Sequence, residues 1–208
     1  MELSVSILNA KDKKEMVKLL NNTYIDYIHI DTMDGLFVTQ KGITIEEIKE
    51  ISSNSTKKLD VHLMVEDPIK YIEEIKMLKN IEYITIHLEI DKNIKEILTK
   101  IKSYGIKTGL SIKPNTDINL LIPYLEEIDL LLIMTVNPGL GGQPFIEDSP
   151  VRIKEIKKIT DNYDIKLEVD GGINNETIKK VALIDIAVVG SYITTSDEPI
   201  KKINSLLV

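Results

Sequence analysis

The sequence contains no cysteine. Disulfide bridges and thiolate metal sites are therefore excluded, and a reducing compartment is compatible with the chain, so we expect a cytoplasmic protein. The chain also lacks any run of about 18 apolar residues, which a membrane-crossing helix requires. The opening MELSVSILNA has an acidic second residue and no basic stretch, so a signal peptide is not predicted.

An excess of positive charge is missing as well. The 208 residues carry a formal net charge of −7, which argues against nucleic acid or an anionic membrane as a partner. An anionic ligand would need a local site built from backbone N–H groups or a few side chains. Hydrophobic residues make up 43% and charged residues 28% of the chain, as in soluble globular proteins. No linker or low-complexity segment interrupts it, so we predict one domain over residues 1 to 208.

Short runs typical of β-strands alternate with amphipathic helical patterns along the chain. The eight predicted strands lie near LSVSIL (3 to 8), YIDYIHID (24 to 31), KLDVHLMV (58 to 65), YITIHLE (83 to 89), KTGLSI (107 to 112), LLLIMTV (130 to 136), KLEVD (166 to 170) and IAVVG (186 to 190). Strict alternation implies parallel strands, and eight strand–helix units in this length favour a (β/α)8 TIM barrel. The alternative is a doubly wound open sheet, which often has a glycine-rich turn after its first strand. Here that strand runs into SILNAKDK, without glycine.

Capping residues mark two of the helix starts. Thr44 and Glu47 form the pattern of a capping box, and Asp67 with Pro68 suits the N-cap and the first position of the next helix. We expect the last helix to hold Ile200, Ile203 and Leu206.

The segment HIDTMDG ends the second predicted strand. His29, Asp31 and Met33 alternate along it, so all three would face the barrel interior. Asp34 has the other parity, and we assign it to the turn with Gly35. Functional groups of a TIM barrel lie at the carboxyl ends of its strands, which is where this cluster falls.

Other strands add polar groups with the same inward parity. A lone inward histidine is more often a hydrogen-bonded core residue, and a lone aspartate at a strand end is more often a helix cap. Convergence from three strands instead favours a site for a divalent cation such as Zn²⁺, Fe²⁺, Mn²⁺ or Co²⁺. The four predicted ligands are His29, Asp31, His62 and Asp170. His87, on the fourth strand, either orients a ligand or belongs to the core.

Methionines and glycines complete the predicted rim. Met33, Met64 and Met134 either fill the core or form a compliant, water-poor floor. Glycine-bearing loops follow the last three strands, and in each loop the glycine could serve only the backbone conformation of a turn. Together they resemble a cradle of backbone N–H groups for a phosphate. The candidate residues of this cradle are Gly139, Gly141, Gly142, Gly171, Gly172, Gly190 and Ser191.

These motifs together resemble those of the ribulose-phosphate 3-epimerase family. The matching segments are SILNA (6 to 10), HIDTMDGLFV (29 to 38), LDVHLMVEDP (59 to 68), ITIHLE (84 to 89), GLSIKPNT (109 to 116), MTVNPGLGGQPFI (134 to 146), EVDGGIN (168 to 174) and VVGSYI (188 to 193). The resemblance implies a (β/α)8 barrel that interconverts D-ribulose 5-phosphate and D-xylulose 5-phosphate. It also implies a bound divalent metal and a homo-oligomer, with a small phosphosugar as the substrate.

The resemblance further implies roles for individual residues. The positions that match the family's metal ligands are His29, Asp31, His62 and Asp170, and Asp31 and Asp170 also match its two acid/base carboxylates. The positions that match its substrate site are Ser6, Met33, Met64 and Met134, and those that match its phosphate loops are Gly142, Gly172, Gly190 and Ser191. Inverting C3 beside the C2 carbonyl requires proton removal from one face and return on the other, so two carboxylates should flank the carbon. A cation would polarise the C2 oxygen.

The chain departs from the family pattern after MDG. Where the family usually has His-Phe-Val-Pro-Asn, residues 36 to 40 read Leu-Phe-Val-Thr-Gln, so a loop that often covers the substrate is altered. A 3-epimerase for a hexulose 6-phosphate such as allulose 6-phosphate is one alternative, and a non-catalytic phosphosugar-binding barrel is another. Related barrels that decarboxylate orotidine phosphate or make hexulose phosphates carry Asp-x-Lys-x-x-Asp in the third strand. The run from Asp60 lacks that lysine and the second acid.

Overall fold

Eight parallel strands close into a barrel in the order of the sequence, and the last strand pairs with the first. The computed structural model describes residues 1–206, so residues 207 and 208 of the predicted domain lie outside the described residues. The strands are Glu2–Ser6 (β1), Tyr27–Met33 (β2), Lys58–Met64 (β3), Ile81–His87 (β4), Lys107–Ile112 (β5), Leu130–Met134 (β6), Lys166–Asp170 (β7) and Ile186–Val189 (β8). This closed order confirms the predicted (β/α)8 barrel and excludes the open sheet, which would leave two unpaired edges.

Helices cover the outside of the barrel between successive strands. The α-helices are Lys13–Asn21 (α1), Ile45–Asn54 (α2), Pro68–Ile75 (α3), Ile94–Ser103 (α4), Ser149–Thr160 (α5), Ser191–Thr194 (α6) and Pro199–Asn204 (α7). After β5 and β7 the chain forms 3-10 segments instead, Ile118–Glu127 and Thr177–Val181. Pro123 lies inside the first of these and has no N–H to donate to a regular α-helix.

The predicted helix caps meet different outcomes. Thr44 and Glu47 form the complete capping box, since each side chain accepts a hydrogen bond from the other residue's backbone N–H at 3.2 and 2.8 Å. Asp67 occupies the N-cap of α3, but the capping hydrogen bond predicted for its side chain is absent. Its backbone, at φ −122° and ψ 84°, lies outside the extended conformation in which a cap side chain reaches the first turn.

The last helix, α7, contains Ile200 and Ile203 as predicted, but it ends at Asn204, before Leu206. Ile203 and Leu206 are buried, whereas Ile200 is 53% exposed. The helix α7 spans only six residues, little more than one and a half turns. Within the helix, Ile203 is the buried residue.

Alternation along the strands separates two cores. Outward residues such as Ile30, Leu63 and Val169 are fully buried against the helices in one large apolar cluster, as the parity predicted. Inside the lumen, Tyr27 and Tyr83 pack edge to face with their ring centroids 5.8 Å apart. This filling begins two residues before His29 on β2, so the polar inward side chains lie nearer the carboxyl ends of the strands.

Candidate active site

The structure brings the four predicted metal ligands together at the carboxyl end of the barrel. Each offers one ligand atom, and these atoms all lie within 4.8 Å of one another. We call the cluster of His29, Asp31, His62 and Asp170 the candidate metal site. Asp31 pairs directly with His62 in the register of β2 and β3. Because inward side chains alternate along both strands, these two side chains lie side by side in the barrel interior.

The donor set of this cluster fits a divalent cation. His29 Nε2 is buried, lies 3.3 Å from Asp31 Oδ1, and makes no hydrogen bond among the described residues. His62 Nδ1 lies 3.3 Å from Asp31 Oδ1 and 4.0 Å from Asp170 Oδ2. A buried imidazole nitrogen without a partner, facing two carboxylates, is the arrangement that a transition cation completes.

The other nitrogen of His29 is held from below. His29 Nδ1 lies 2.6 Å from Asp60 Oδ2, which also accepts a hydrogen bond from Ser4 Oγ at 2.9 Å. Burial works to lower the pKa of His29, but the charges of Asp60 and Asp31 outweigh it and raise that pKa well above its usual value. The cluster therefore favours positive charge at this point, whether a proton or a cation supplies it. Asp60 shares the inward parity of His62 on β3, and its pairing with His29 follows from the register of β2 and β3.

The environment of His87 decides between its two predicted places. His87 is fully buried, and its Nε2 lies 2.9 Å from Nε2 of His62. Its Nδ1 lies 3.1 Å from Glu89 Oε2. His87 therefore contacts a predicted ligand directly, as the orienting alternative requires. Burial lowers its pKa to about 4, so its imidazole is neutral at physiological pH.

The two carboxylates proposed for acid/base work have opposite electrostatic environments. Burial raises the pKa of Asp31, but hydrogen bonds and charge from His29 and His62 outweigh it, and the pKa falls below its usual range. Its Oδ2 also accepts a 2.6 Å hydrogen bond from Ser6 Oγ. For Asp170, burial and the nearby charge of Asp31 together raise the pKa to about 6. One carboxylate thus stays ionised while the other can hold a proton near neutral pH.

A further buried acid, Glu168, lies two residues before Asp170 on β7. It is fully buried, and neither carboxyl oxygen has a hydrogen-bond partner within residues 1–206. Burial and the charge of Asp60 raise the pKa of Glu168 well above its usual value. Glu168 shares the inward parity of Asp170 on β7, but this alternation alone indicates no function for it.

A cavity of about 480 Å³ opens above the candidate metal site. Asp31 and Asp170 reach its floor, whereas His29 and His62 lie beneath and are fully buried. All the predicted substrate-binding residues line the cavity: Ser6, Met33, Met64, Met134, Gly139, Gly141, Gly142, Gly171, Gly172, Gly190 and Ser191. The three methionines are at most 6% exposed, so the floor around the carboxylates is apolar.

The glycine loops form part of the wall of the cavity. Gly172 has φ +67°, and a Cβ placed there would lie 2.4 Å from the backbone N of Phe145, so only glycine lets the two loops approach this closely. No lysine or arginine is among the lining residues of this cavity in the described chain. An anionic group bound here would therefore rely on backbone N–H groups and hydroxyls.

One polar side chain of this wall was not singled out from the sequence. Asn9 Nδ2 donates a 2.9 Å hydrogen bond to Ser191 Oγ, joining the loops after β1 and β8. Because Ser191 Oγ accepts from Asn9, its own O–H is free to donate into the cavity. The SILNA motif contained Asn9, but nothing in the sequence indicated that its partner lies 182 residues away.

The altered segment after β2 is folded against the rest of the rim. Asp34 accepts hydrogen bonds from the backbone N–H groups of Leu36 and Phe37 through Oδ1 and of Glu66 through Oδ2, as expected for a turn residue. The Phe37 ring packs on His87 at 4.8 Å between centroids, whereas Leu36 is 75% exposed. The departure from the family pattern therefore leaves the apolar side chain of Leu36 in solvent.

The fold and this site place the chain among the TIM-barrel enzymes that act at the carboxyl ends of their strands. The model of the Ribulose-phosphate 3 epimerase family matches residues 2–194. The chain belongs to this family.

Individual relatives agree with the family match. The chain is similar to the ribulose-phosphate 3-epimerases of Bacillus subtilis (35% identity over 87% of this chain and 85% of the relative) and Aquifex aeolicus (37% over 81% and 77%). Among solved structures, it resembles the 3-hexulose-6-phosphate synthase from Salmonella typhimurium. The TM-score is 0.70 at 21% identity, over 99% of this chain and 96% of that one. This structural likeness shows the barrel fold alone. No helix within residues 1–206 has the length and apolar character needed to cross a membrane.

Proposed function

We propose that this protein is a metal-dependent epimerase that inverts C3 of D-ribulose 5-phosphate to give D-xylulose 5-phosphate. One observation carries the proposal: Asp31 and Asp170 come from separate strands, lie within 4.8 Å of each other in one cluster, and face a cavity walled by glycine loops. Family membership supports the same reaction.

The metal would be held by His29 Nε2, His62 Nδ1 and the carboxylates of Asp31 and Asp170. Zn²⁺, Fe²⁺, Mn²⁺ and Co²⁺ are all compatible with two imidazoles and two carboxylates. When bound, a divalent cation supplies a Lewis acid that stabilises negative charge on the substrate oxygens at C2 and C3.

The two carboxylates move the proton. The ionised carboxylate takes the C3 proton from one face, and the C3–H electron pair shifts to the C2 carbonyl, giving an enediolate of the substrate. The protonated carboxylic acid on the other face then donates its proton to C3, and the carbonyl re-forms with inverted configuration. The two groups come from different strands, β2 and β7, so one can act as the base while the other acts as the acid. In the reverse direction the two groups exchange roles.

The surroundings support this chemistry in two ways. The buried methionines Met33, Met64 and Met134 keep water away from the reacting carbon, which strengthens the electrostatic interactions around it. The glycine loops and Ser191, which line the same cavity, bind the phosphate through backbone N–H groups and a hydroxyl. The distance between the bound phosphate and the two carboxylates therefore limits the length of sugar that can react.

The altered loop motivates a test of substrate length. Residues 36 to 40 differ from the family pattern and leave Leu36 exposed. A hexulose 6-phosphate such as allulose 6-phosphate would use the same carboxylates and extend by one carbon. Comparing kcat/KM for the five- and six-carbon substrates decides between them. The predicted homo-oligomer is tested separately by light scattering of the purified protein, and the predicted cytoplasmic location by cell fractionation.

The decisive experiment is an epimerase assay with and without chelator. Metal-loaded protein should convert D-ribulose 5-phosphate to D-xylulose 5-phosphate, and exhaustive chelation should abolish the activity until a divalent metal is restored. Asp161→Asn, an exposed carboxylate at the end of α5, is the matched control and should leave the rate unchanged. Binding of the sugar phosphate without any turnover by the metal-loaded protein would instead support the non-catalytic barrel.

A further inference from the structure

A row of buried side chains leads from the candidate metal site to the loop after β5. His62 Nε2 meets His87 Nε2 at 2.9 Å, and His87 Nδ1 meets Glu89 Oε2 at 3.1 Å. Both histidines are fully buried, and 17% of the Glu89 side chain is exposed. Glu89 was matched only as part of the ITIHLE segment, and no role was predicted for it.

Glu89 can only accept hydrogen bonds in this position. Its Oε1 accepts from the backbone N–H of Lys113 at 2.7 Å and from Thr116 Oγ1 at 2.6 Å. Burial raises the pKa of Glu89, but its hydrogen bonds outweigh this and lower it to about 2. At neutral pH the group is therefore a carboxylate, which has no proton to give. His87 Nδ1 must therefore carry the N–H of that contact.

The position of the proton on His87 determines the position of the proton on His62. A neutral imidazole carries one N–H, so His87 with its proton on Nδ1 presents a bare lone pair at Nε2. A contact of 2.9 Å between two nitrogens needs one proton between them, and His62 Nε2 must supply it. His62 Nδ1 is then left with its lone pair directed at Asp31 and Asp170, the place where a cation would bind.

Without Glu89, Asp31 would favour the His62 tautomer that carries its proton on Nδ1. Its Oδ1 lies 3.3 Å from His62 Nδ1 and would accept a proton held there. A proton on Nδ1 of neutral His62 would block that nitrogen as a metal ligand. We therefore infer that Glu89 is a positioning residue which, through His87, fixes the tautomer of His62 that leaves Nδ1 free for the metal. The metal part of this inference rests on the proposed function, whereas the tautomer part does not.

Glu89 can fix the tautomers of both histidines because it is itself held in place. Arg152 Nη2 donates to the carbonyls of Lys113 and Thr116 at 3.0 and 2.6 Å, so the loop whose groups bind Glu89 is itself held in place. The Phe37 ring packs against His87. The carboxylate is therefore fixed by the barrel wall and is not free to turn away from His87.

In the isosteric variant Glu89→Gln, the ring proton of each of the two histidines should move to the other nitrogen. The glutamine Oε1 can keep the hydrogen bonds from Lys113 and Thr116, which turns its NH₂ group toward His87 Nδ1. His87 must then accept at Nδ1 and carry its proton on Nε2, and His62 must accept at Nε2 and place its proton on Nδ1. The variant preserves size and packing but puts a proton on the nitrogen that the metal needs.

The chain suits a direct measurement, because it contains only three histidines. In ¹⁵N-histidine NMR spectra at neutral pH, the wild type should show N–H at His87 Nδ1 and His62 Nε2, with and without Zn²⁺. Metal-free Glu89→Gln should show the proton on His87 Nε2. Zn²⁺ affinity measured by competition should fall by about 10- to 100-fold in this variant.

Two further variants separate positioning from general structural support. Glu82→Gln removes a carboxylate from β4 that pairs with Lys58 and Lys107, and it should leave tautomers and affinity unchanged. Glu89→Ala removes the acceptor without adding a donor, so it should lower Zn²⁺ affinity less than Glu89→Gln does. Wild-type protein with N–H at His87 Nε2, or a larger loss in Glu89→Ala than in Glu89→Gln, would overturn the inference. If the tautomers reverse as expected but the enzyme never turns over D-ribulose 5-phosphate, the proposed function falls and the positioning role stands.

Discussion

Replacing Gly172 by alanine tests whether close approach of two loops builds the phosphate wall. Gly172 has φ +67°, and its added Cβ would lie 2.4 Å from the backbone N and 2.7 Å from Cα of Phe145. An ordinary contact is 3.4 Å or more, so the backbone at Phe145 must retreat by about 1 Å. That backbone ends the glycine-rich loop after β6, and its retreat should open the cavity wall.

Gly105→Ala is a matched control for the backbone conformation. Gly105 has φ +74°, and nothing lies within 4 Å of an added Cβ. Both substitutions carry the strain of a left-handed alanine, about 1–2 kcal/mol. Gly172→Ala adds the overpacking of a tight interior contact, about 1–3 kcal/mol more. Its free energy of unfolding should therefore fall by about 2–5 kcal/mol in all, against about 1–2 kcal/mol for the control.

Kinetics of the two variants should differ more sharply than their stabilities. Loss of one hydrogen bond to a charged phosphate is worth about 1.5–3 kcal/mol, which corresponds to a rise in KM of about tenfold or more. Gly105 lies after α4, away from the cavity, so KM of Gly105→Ala should stay at the wild-type value. Urea titrations and initial rates on D-ribulose 5-phosphate measure both quantities. If Gly172→Ala matched Gly105→Ala in stability and in KM, the reasoning about this wall would be refuted.

Three other predictions address separate parts of the structure. Burial raises the pKa of Glu89, but its hydrogen bonds outweigh this and lower it to about 2 from an ordinary 4.5. The resulting stabilisation, at most about 3 kcal/mol, is present above pH 4.5 and should fall to about half near pH 3, as urea titrations of wild type and Glu89→Gln across pH would show. Asn9→Ala should raise KM by up to about tenfold with little change in kcat, because Ser191 loses the donor that orients its hydroxyl; an equal fall in kcat with unchanged KM would contradict this. Leu63→Ala, on the fully buried outward face of β3, should cost about 2–5 kcal/mol of stability in thermal or urea unfolding and leave KM unchanged.

The period of two along parallel strands made much of the site predictable. His29 and Asp31 had to share one face of β2, and Asp170 had to lie at the end of β7, so their convergence followed once the strands were assigned. The same parity placed Asp60 and Glu168 inward. It did not reveal that Asp60 holds His29, because a sequence does not state the register between strands.

Contacts that depend on loop paths were not predictable. Glu89 lies beyond the end of β4, where alternation no longer determines direction, and its partners come from the loop after β5. Asn9 and Ser191 meet only because β8 closes on β1. The 3-10 segment after β5 and the missing capping bond of Asp67 likewise reflect local backbone angles, which several sequences accept equally well.

The central claim is that Asp31 and Asp170 act on opposite faces of C3, and hydrogen exchange in D₂O tests it most directly. Wild-type protein should place solvent deuterium at C3 of each product it forms. Asp31→Asn and Asp170→Asn should each epimerise at least about 100-fold more slowly. Each variant should still exchange the C3 hydrogen of one epimer, and the two variants should act on different epimers. Full epimerisation by either variant, or exchange of the same epimer by both, would contradict the account.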